Sequence, residues 1–483
     1  DFEILKPNQE ENFLIFLKNE YFRPCLKKEN FLKSFLSFFP IIDWLPKYDV
    51  KNYLFFDIIA GVTAGVIHVT QGVAYAILCG IPPVNGLYMS LLAPLVYMFF
   101  GTSRTTSLGS FAIISLMVAD ANKKIMQNHY PMNYSEIFEM EDNSHFEINP
   151  STICSTLTFT VGLLQLLAAI LKFEYFTTYF SDPLVGGFTT AAAIHVFFTQ
   201  VFDILGVKVD RKSGPFYLFG LGYKFFQVLP QTNPVTLGTS VVSALILIFG
   251  KDYVSPVIKK WTKNRLIVPF ELVVMILGTL ISYIFDFRHD HEVAVVGEVP
   301  TDLPRPLFPV FSIVPECLSY ALPITVLTVA IHVSMSKVLA QRQNYQIDPG
   351  QEIYAISFAS LISSFFPVFP NSNGFGRSFV QADCGARTQI CSLASSLFLL
   401  GVILFMGPLF TTLPRCVLST VIILSMRSIL RNLGEVKNLW TVSKIDFSIW
   451  MVSCLASVII DVINGLVIAV AFALLTVVLR TQR

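Results

Sequence analysis

"NSNGFGRSFVQADCG", residues 371–385, places Arg377 between "LISSFFPVFP" (361–370) and "ICSLASSLFLLGVILFM" (390–406), two stretches apolar enough for lipid. Gly374 and Gly376 precede the arginine and interrupt any smooth helix there. A half-helix that starts at mid-bilayer aims unpaired backbone N–H groups and a positive dipole end into the protein interior. Such an N-terminus attracts an anion. Arg377 adds a permanent cation with a forked set of donors. A neutral or cationic substrate would gain nothing from this arrangement. The simpler alternatives are an arginine that snorkels to an interface or one that pairs with Asp383.

The rest of the chain has the composition of a membrane protein. Of 483 residues, 53% are hydrophobic and 14% charged, against roughly 25% charged in soluble domains. Apolar runs long enough to span a bilayer, which takes about 20 residues, recur from 53 to 479. The formal net charge of +1 and the lack of a concentrated basic tract give no sign of nucleic acid as a partner. No Walker A loop, Ser/His/Asp set or metal cluster can be read. The sequence therefore points to neither an enzyme nor an ATP-driven pump, and implies no cofactor. Cysteines 25, 79, 154, 317, 384, 391, 416 and 454 lack metal-ligand spacing and read as packed thiols. His289 and His291 in "DFRHDHE" read as an exposed loop rather than a metal site.

The expected fold is an all-α polytopic membrane protein with fourteen spans: 53–75, 84–101, 106–120, 152–172, 180–203, 232–250, 266–285, 317–340, 350–369, 375–384, 388–407, 413–430, 446–462 and 463–480. This divides the chain into an N-terminal cytoplasmic segment (1–52), a first seven-span repeat (53–285), an extracellular connection (286–316) and a second seven-span repeat (317–480). Lys and Arg are retained in the cytoplasm. "KDYVSPVIKKWTKNR" has five basic residues and one acid and is placed inside, as are "RSILRNLGEVKN" and both termini. The 121–151 connection carries Glu136, Glu139, Glu141, Asp142 and Glu147 and is placed outside. There Asn133-Tyr134-Ser135 is an N-glycosylation acceptor pattern. "KVDRKSG" (208–214) is basic yet falls outside on this topology.

Two spans are too short to cross, "SLGSFAIISLMVAD" and "GFGRSFVQADC". They hold related cores, Gly109-Ser110-Phe111 and Gly376-Arg377-Ser378-Phe379, each in the third span of its half. Repeats of seven spans must be inverted relative to one another. Paired, interrupted helices at matching positions point to a transporter binding site. In "HVTQGVAYAILCGIPP" the first span supplies a facing wall: Thr70-Gln71-Gly72 is expected to break an apolar helix, with Tyr75 one turn on. Gln71 is expected to donate to the anion, while Tyr75 and Phe111 exclude water. The competing reading is packing, with Gly72 as a close-contact point between helices. Lys337 reads as a solvated helix end, His332 as a satisfied interior histidine, and Glu271 and Asp461 as helix braces.

"WLPKYDVKNYLFFDIIAGVTAGVIHVTQGVAYAILCGIPPVNGLY", "FFGTSRTTSLGSFAIISLMV", "VVGEVPTDLPRPLFP", "NYQIDPGQE" and "FGRSFVQADCGARTQ" occur in the order of the sulfate permease family. The chain resembles the animal solute carrier 26 anion transporters, of prestin and pendrin type, from about Trp44 to Arg483. The resemblance implies a 7+7 inverted repeat, with spans 1–4 and 8–11 as core and 5–7 and 12–14 as gate. It also implies an elevator-like motion and a homodimer in the plasma membrane. It places the substrate site at Gln71, Tyr75, Phe111, Gly376, Arg377 and Ser378. Relatives with phenylalanine at the position of Tyr75, or serine at that of Gly376, would differ in local polarity. Sulfate-type relatives can carry glutamate where Lys337 stands, and its absence favours monovalent substrates or chloride-coupled exchange over proton-coupled sulfate uptake. The family's C-terminal STAS domain is expected to be absent from this chain. The expected function is exchange of chloride with bicarbonate, oxalate, sulfate or a similar anion. A voltage-responsive motor and an uncoupled chloride channel are the rivals. A nucleobase carrier would favour a carboxylate over Arg377.

Overall fold

The computed structural model describes residues 38–130, 148–174, 182–207, 216–261, 270–297, 300–460 and 462–481. Besides short helices at Ile41–Trp44, Ser255–Trp261 and Phe287–Asp290, the α-helices and strands are α1 (Val50–Cys79), α2 (Pro83–Phe100), β1 (Leu108–Gly109), α3 (Ala112–His129), α4 (Pro150–Ile170), α5 (Asp182–Leu205), α6 (Tyr217–Val228), α7 (Pro234–Phe249) and α8 (Phe270–Ile284). There follow α9 (Val314–Arg342), α10 (Pro349–Ser363), β2 (Ser372–Asn373), α11 (Phe375–Asp383), α12 (Ile390–Met406), α13 (Arg415–Leu430), α14 (Glu435–Val442), α15 (Lys444–Ile459) and α16 (Val462–Thr481). Among the described residues, six helices are long and apolar enough to cross a membrane. The chain is a multi-pass membrane protein.

Short sequence signals set the helix ends. Asn149-Pro150, Asn233-Pro234 and Asp348-Pro349 each put an Asx N-cap before a proline at the first helical position. The Asx oxygen accepts from free first-turn N–H groups, and proline costs nothing where no N–H is needed. α1 is capped by Asp49 and ends at Gly80, whose φ of 76° suits glycine. Its 30 residues span about 45 Å at 1.5 Å per residue, more than the hydrocarbon thickness.

Two differences from the sequence reading matter for the site. α1 runs unbroken through Thr70-Gln71-Gly72. Gly72 is instead a contact point: a Cβ on the facing Gly86 of α2 would lie 1.9 Å from the Gly72 carbonyl oxygen. The third span also starts later than expected. Residues 106–111 are not helical, with 108–109 in β1 and Phe111 extended, and the helix begins only at Ala112. The short amphipathic helices α6 and α14 have no counterpart in the sequence reading.

The helices pack in two groups. α1, α2, α3, α4, α9, α10, α11 and α12 form one, in which α1 lies against α2 and α12, and α4 against α9 and α10. α5, α7, α8, α13, α15 and α16 form the other, with α5 seated on α13 and α15, and α8 against α7 and α13. Contacts between the groups are sparse and fall mainly at α3 with α5 and at α1 with α8 and α13.

One buried carboxylate fastens the first group. Glu352, in the first turn of α10, is fully buried. It accepts from Tyr97 Oη at 2.7 Å, Thr102 N at 2.7 Å, Thr102 Oγ1 at 2.6 Å, Ser103 N at 2.9 Å and Ser336 Oγ at 3.2 Å. Nε2 of the equally buried His332 stands 2.9 Å away. These contacts tie α2, α9 and α10 to the 102–107 segment that leads into β1. A second buried carboxylate, Asp57, accepts from Arg387 N at 2.7 Å and Thr388 Oγ1 at 2.7 Å, and so holds the lead-in to α12 against α1. Elsewhere Glu271 of α8 bridges to Lys251 at 2.6 Å, which fits its reading as a brace. The seven described cysteines are free thiols, and no metal-binding group of three or more His, Cys, Asp or Glu occurs among the described residues.

The Glu352 cluster makes a stability prediction. Tyr97→Phe removes one donor to a buried charge and should cost about 1.5–3 kcal/mol. Glu352→Ala, which orphans several donors together, should cost more. Thermal unfolding of the detergent-solubilised protein, followed by loss of monodispersity, should rank wild type above Tyr97→Phe above Glu352→Ala.

Candidate anion site

β1 and β2 are two residues long and pair antiparallel, with Leu108 opposite Asn373 and Gly109 opposite Ser372. Each strand runs directly into a helix, β1 into α3 and β2 into α11. The antiparallel pairing brings the N-termini of both helices to one place deep in the first group. Neither N-terminus has a side-chain cap, Phe111 and Gly374 being the N-cap residues. Their first N–H groups and dipole ends therefore favour negative charge.

This register corrects the alignment of related cores. Phe111 and Gly374 each lie just before a helix, so Gly109-Ser110-Phe111 ends where α3 begins, whereas Gly376-Arg377-Ser378-Phe379 lies inside α11. The glycine of the first motif lies in the strand, whereas that of the second lies inside the helix.

Arg377 occupies the first turn of α11 and is 1% exposed, the largest fully buried side chain among the described residues. Its guanidinium folds back over the strand pair. Nη1 donates to Gln71 Oε1 and, at 2.7 Å, to the Ser110 carbonyl, while Nε and Nη2 have no partner. Asp383 is not its counter-ion, since that carboxylate bonds Arg342 at 2.6 Å. Two glycines make the space. A Cβ on Gly374 would lie 2.6 Å from Cζ of Arg377, and one on Gly109 would lie 2.8 Å from Nη2.

The other expected residues fall around this guanidinium in different ways. Gln71, half-buried on α1, accepts from Arg377 rather than standing as a free donor, which leaves its amide N–H groups for other partners. Tyr75 is buried, and its hydroxyl lies 3.3 Å from Ser425 Oγ of α13, so it reaches across to the second packing group. Phe111 is buried, and its carbonyl accepts from Ser115 N at 2.9 Å. Ser378 is turned inward: its hydroxyl accepts from Ser107 N at 3.0 Å and donates to Asn373 Oδ1 at 2.6 Å, which locks the strand pair to α11. Gly376 is exposed, with open space where a Cβ would be. Lys337 is only half-buried near the end of α9.

Three residues near the site went unread in the sequence. His68 is fully buried one turn before Gln71 on the same face of α1. Ser110 is buried with an unpartnered hydroxyl. Ser107 bridges His68 to the strand pair, with His68 Nε2 at 2.9 Å from its Oγ. The signal for His68 was present, since a polar ring three residues from Gln71 in an apolar helix needs a partner.

A multi-pass membrane protein with a buried fixed cation between two uncapped helix N-termini has the construction of an anion carrier. The chain belongs to the sulfate permease family, which matches residues 54–453. It is 37% identical to "Sulfate permease family protein 3" of Caenorhabditis elegans over 94% of this chain and 62% of that protein. It is 36% identical to prestin of Danio rerio, covering 95% of this chain and 62% of prestin. To human solute carrier family 26 member 6 it is 36% identical, over 92% and 58% respectively. The chain thus spans less than two thirds of the length of these relatives. The fold superposes on murine Solute Carrier 26 family member A9, an anion transporter solved in the inward-facing state, with a TM-score of 0.85 and 25% identity over 97% of this chain and 75% of that one. The transmembrane domain of the cyanobacterial bicarbonate transporter BicA shares the fold at a TM-score of 0.67 and 20% identity, over 87% and 97%.

Anion affinity should depend on Arg377 and on the room made for it. Arg377→Gln should weaken saturable anion binding by about tenfold or more, the equivalent of one lost charge-assisted hydrogen bond. Lys337→Gln, at a more exposed position, should change it far less. Gly374→Ala should resemble Arg377→Gln, because φ −94° and ψ 111° are open to alanine and only the guanidinium stands in the way. Titration calorimetry with chloride on purified variants measures all three. Equal losses at 377 and 337 would refute the assignment.

Proposed function

We propose that this chain is the membrane domain of a secondary anion exchanger that moves chloride against bicarbonate, oxalate, sulfate or a similar anion. The observation that carries the reading is Arg377: a fully buried cation with two unpartnered guanidinium nitrogens beside two uncapped helix N-termini. On this reading the anion sits in front of the α3 and α11 N-termini. Arg377, Gln71 and the first-turn N–H groups hold it, Ser378 positions α11, and Tyr75 and Phe111 limit water. Gly376 leaves room beside the ion.

The proposed architecture is fourteen spans in a 7+7 inverted repeat. α1, α2, α3, α4, α5, α7 and α8 form one half, and α9, α10, α11, α12, α13, α15 and α16 the other. α6 and α14 then sit at matching places, each after the fifth span of its half, which supports the repeat. The two packing groups are the core and gate, and the sparse contacts between them suit an elevator-like displacement of the core. The protein acts as a homodimer in the plasma membrane with both termini cytoplasmic. Asn133, outside the described residues, is proposed as a glycosylated extracellular site. Asn133→Gln should abolish a glycosidase-sensitive mobility shift in a eukaryotic host, and labelling of a cysteine at 133 from the cytoplasm alone would overturn the topology.

Exchange follows from the electrostatics. A bound anion offsets the dipole ends and Arg377, whereas the empty site leaves a buried positive field uncompensated and makes reorientation costly. The loaded carrier should therefore cross more readily than the empty one. Efflux of labelled chloride from vesicles at clamped potential should accelerate when chloride or bicarbonate is supplied outside, and slow in gluconate. Efflux equally fast into gluconate would mark a channel or uniporter instead.

A further inference from the structure

The exposed face of α14 has no part in the transport reading. α14 turns directly into α15, whose first turn is capped by Ser443. The inner side of α14 is settled, since Val436 and Leu439 pack on Trp450 and Cys454 of α15 and Ala191 of α5. The outer side is not. Trp440 is 54% exposed, and Val442, at 84%, is the most exposed of the large apolar side chains among the described residues. Lys437 stands one turn before Trp440 on the same face, and the ammonium of Lys444 lies 5.9 Å from the centre of the Trp440 ring. Phe447 meets that ring edge-on, with centroids 4.8 Å apart, which holds the indole in place. Both lysines are exposed, and no described carboxylate pairs with either. From 431 to 444 the chain carries Arg431, Lys437 and Lys444 against the single acid Glu435. The next acid, Asp446, lies in the first turn of α15, where the helix dipole favours it. α6 supplies a contrast: it exposes Phe219, Tyr223 and Phe226, and its only charged residue is the half-buried Lys224.

We infer that α14 is a docking helix for anionic lipid of the cytoplasmic leaflet, with phosphatidylserine-type headgroups on Lys437 and Lys444 and the acyl chains against Trp440 and Val442. An indole flanked by ammonium groups fits the boundary of a bilayer, where the ring enters the acyl region and the cations stay at headgroup level. A protein partner would have to bring carboxylates to both lysines and a groove to Val442. A leaflet offers its charged and apolar layers together, everywhere along its plane. The cytoplasmic leaflet is the one that carries anionic lipid, and the topology proposed above puts α14 on that side. The inverted arrangement puts α6 at the opposite leaflet, where its aromatic face meets acyl chains with little charge to match. The leaflet assignment rests on that topology; the lipid preference rests on the α14 side chains. Because Val436 and Leu439 tie α14 to α15 and α5, the contact holds the second helix group to the membrane surface and leaves the first group free of it.

The test uses the full chain in phosphatidylcholine nanodiscs, into which phosphatidylserine with brominated acyl chains is titrated, because bromine quenches indole fluorescence on contact. The Trp440 signal is the difference between wild type and Trp440→Phe. Half-maximal quenching should come at a much lower fraction of brominated phosphatidylserine than of brominated phosphatidylcholine. Lys437→Gln or Lys444→Gln should raise the phosphatidylserine fraction required by about fivefold each, and high salt should raise it in the wild type. Lys224→Gln on α6 should leave it unchanged. Equal quenching by the two brominated lipids would show that α14 meets lipid without selecting its charge, and overturns the inference. Quenching by neither would put a protein surface, such as a second copy of this chain, over Trp440, and overturns it as well. Labelling of Lys437→Cys only from outside intact cells would overturn the leaflet assignment. Anion flux enters none of these readouts, so failure of the exchange reading and failure of this one are told apart.

Discussion

Everything central in this structure answers to one constraint, the fixed charge of Arg377 in the interior of a membrane protein. An isolated cation in such a place is costly, and the usual remedy is an adjacent carboxylate. Here the guanidinium receives only neutral oxygens, from Gln71 and the Ser110 carbonyl, and both helix N-termini nearby add positive potential rather than relieving it. The surroundings are shaped to tolerate the group sterically, through Gly109 and Gly374, without cancelling it electrically. Had Asp383 been its partner, the site would be neutral and indifferent to anions. Asp383 bonds Arg342 instead, at the other end of α11.

Glu352 shows what full compensation looks like in the same packing group. It is as deeply buried as Arg377 but accepts from Tyr97, Thr102, Ser103 and Ser336, with His332 against it. Saturated in this way, a buried charge serves as a rigid joint. Arg377 keeps two nitrogens unspent, as a binding site requires. The joint also serves the site: Glu352 fixes the 102–107 segment, that segment positions β1, and β1 holds the N-terminus of α3 beside that of α11.

The fold was legible in outline because apolar runs of membrane length are a strong and local signal. The runs alone placed the starts of α4, α7 and α10 within two residues of the Asx-Pro caps that fix them. What stayed hidden depends on long-range pairing. Two-residue strands carry no periodicity, so the β1–β2 ladder, and with it the true start of α3, had no signature in "TTSLGSF". Relating Gly109-Ser110-Phe111 to Gly376-Arg377-Ser378-Phe379 by residue type missed that the first precedes its helix and the second lies inside one. Gln71 was placed near the arginine, but its orientation followed from the guanidinium folding back, which two glycines permit and no local pattern declares. Gly72 in mid-helix suggested a break; the close approach of Gly86 explains it without one. Glu352 and His68 escaped notice for the same reason, since each takes its meaning from partners on other helices.

The contact between Tyr75 and Ser425 bears on the proposed displacement of one helix group against the other. Packing within each helix group is extensive, and only a few contacts join the groups, so relative movement would leave most buried surface intact. The Tyr75 hydroxyl at 3.3 Å from Ser425 Oγ is one of the polar links across that seam, and it lies one turn from Gln71. A neutral hydrogen bond contributes on the order of 0.5–1.5 kcal/mol, enough to bias the resting position of α1 against α13 but too little to lock it. A phenylalanine at this position would keep the dry wall and forfeit the bias. On the proposed elevator-like mechanism the hydroxyl would act on the relative population of the two arrangements, whereas recognition of the anion is proposed to lie with Arg377 and the two helix N-termini.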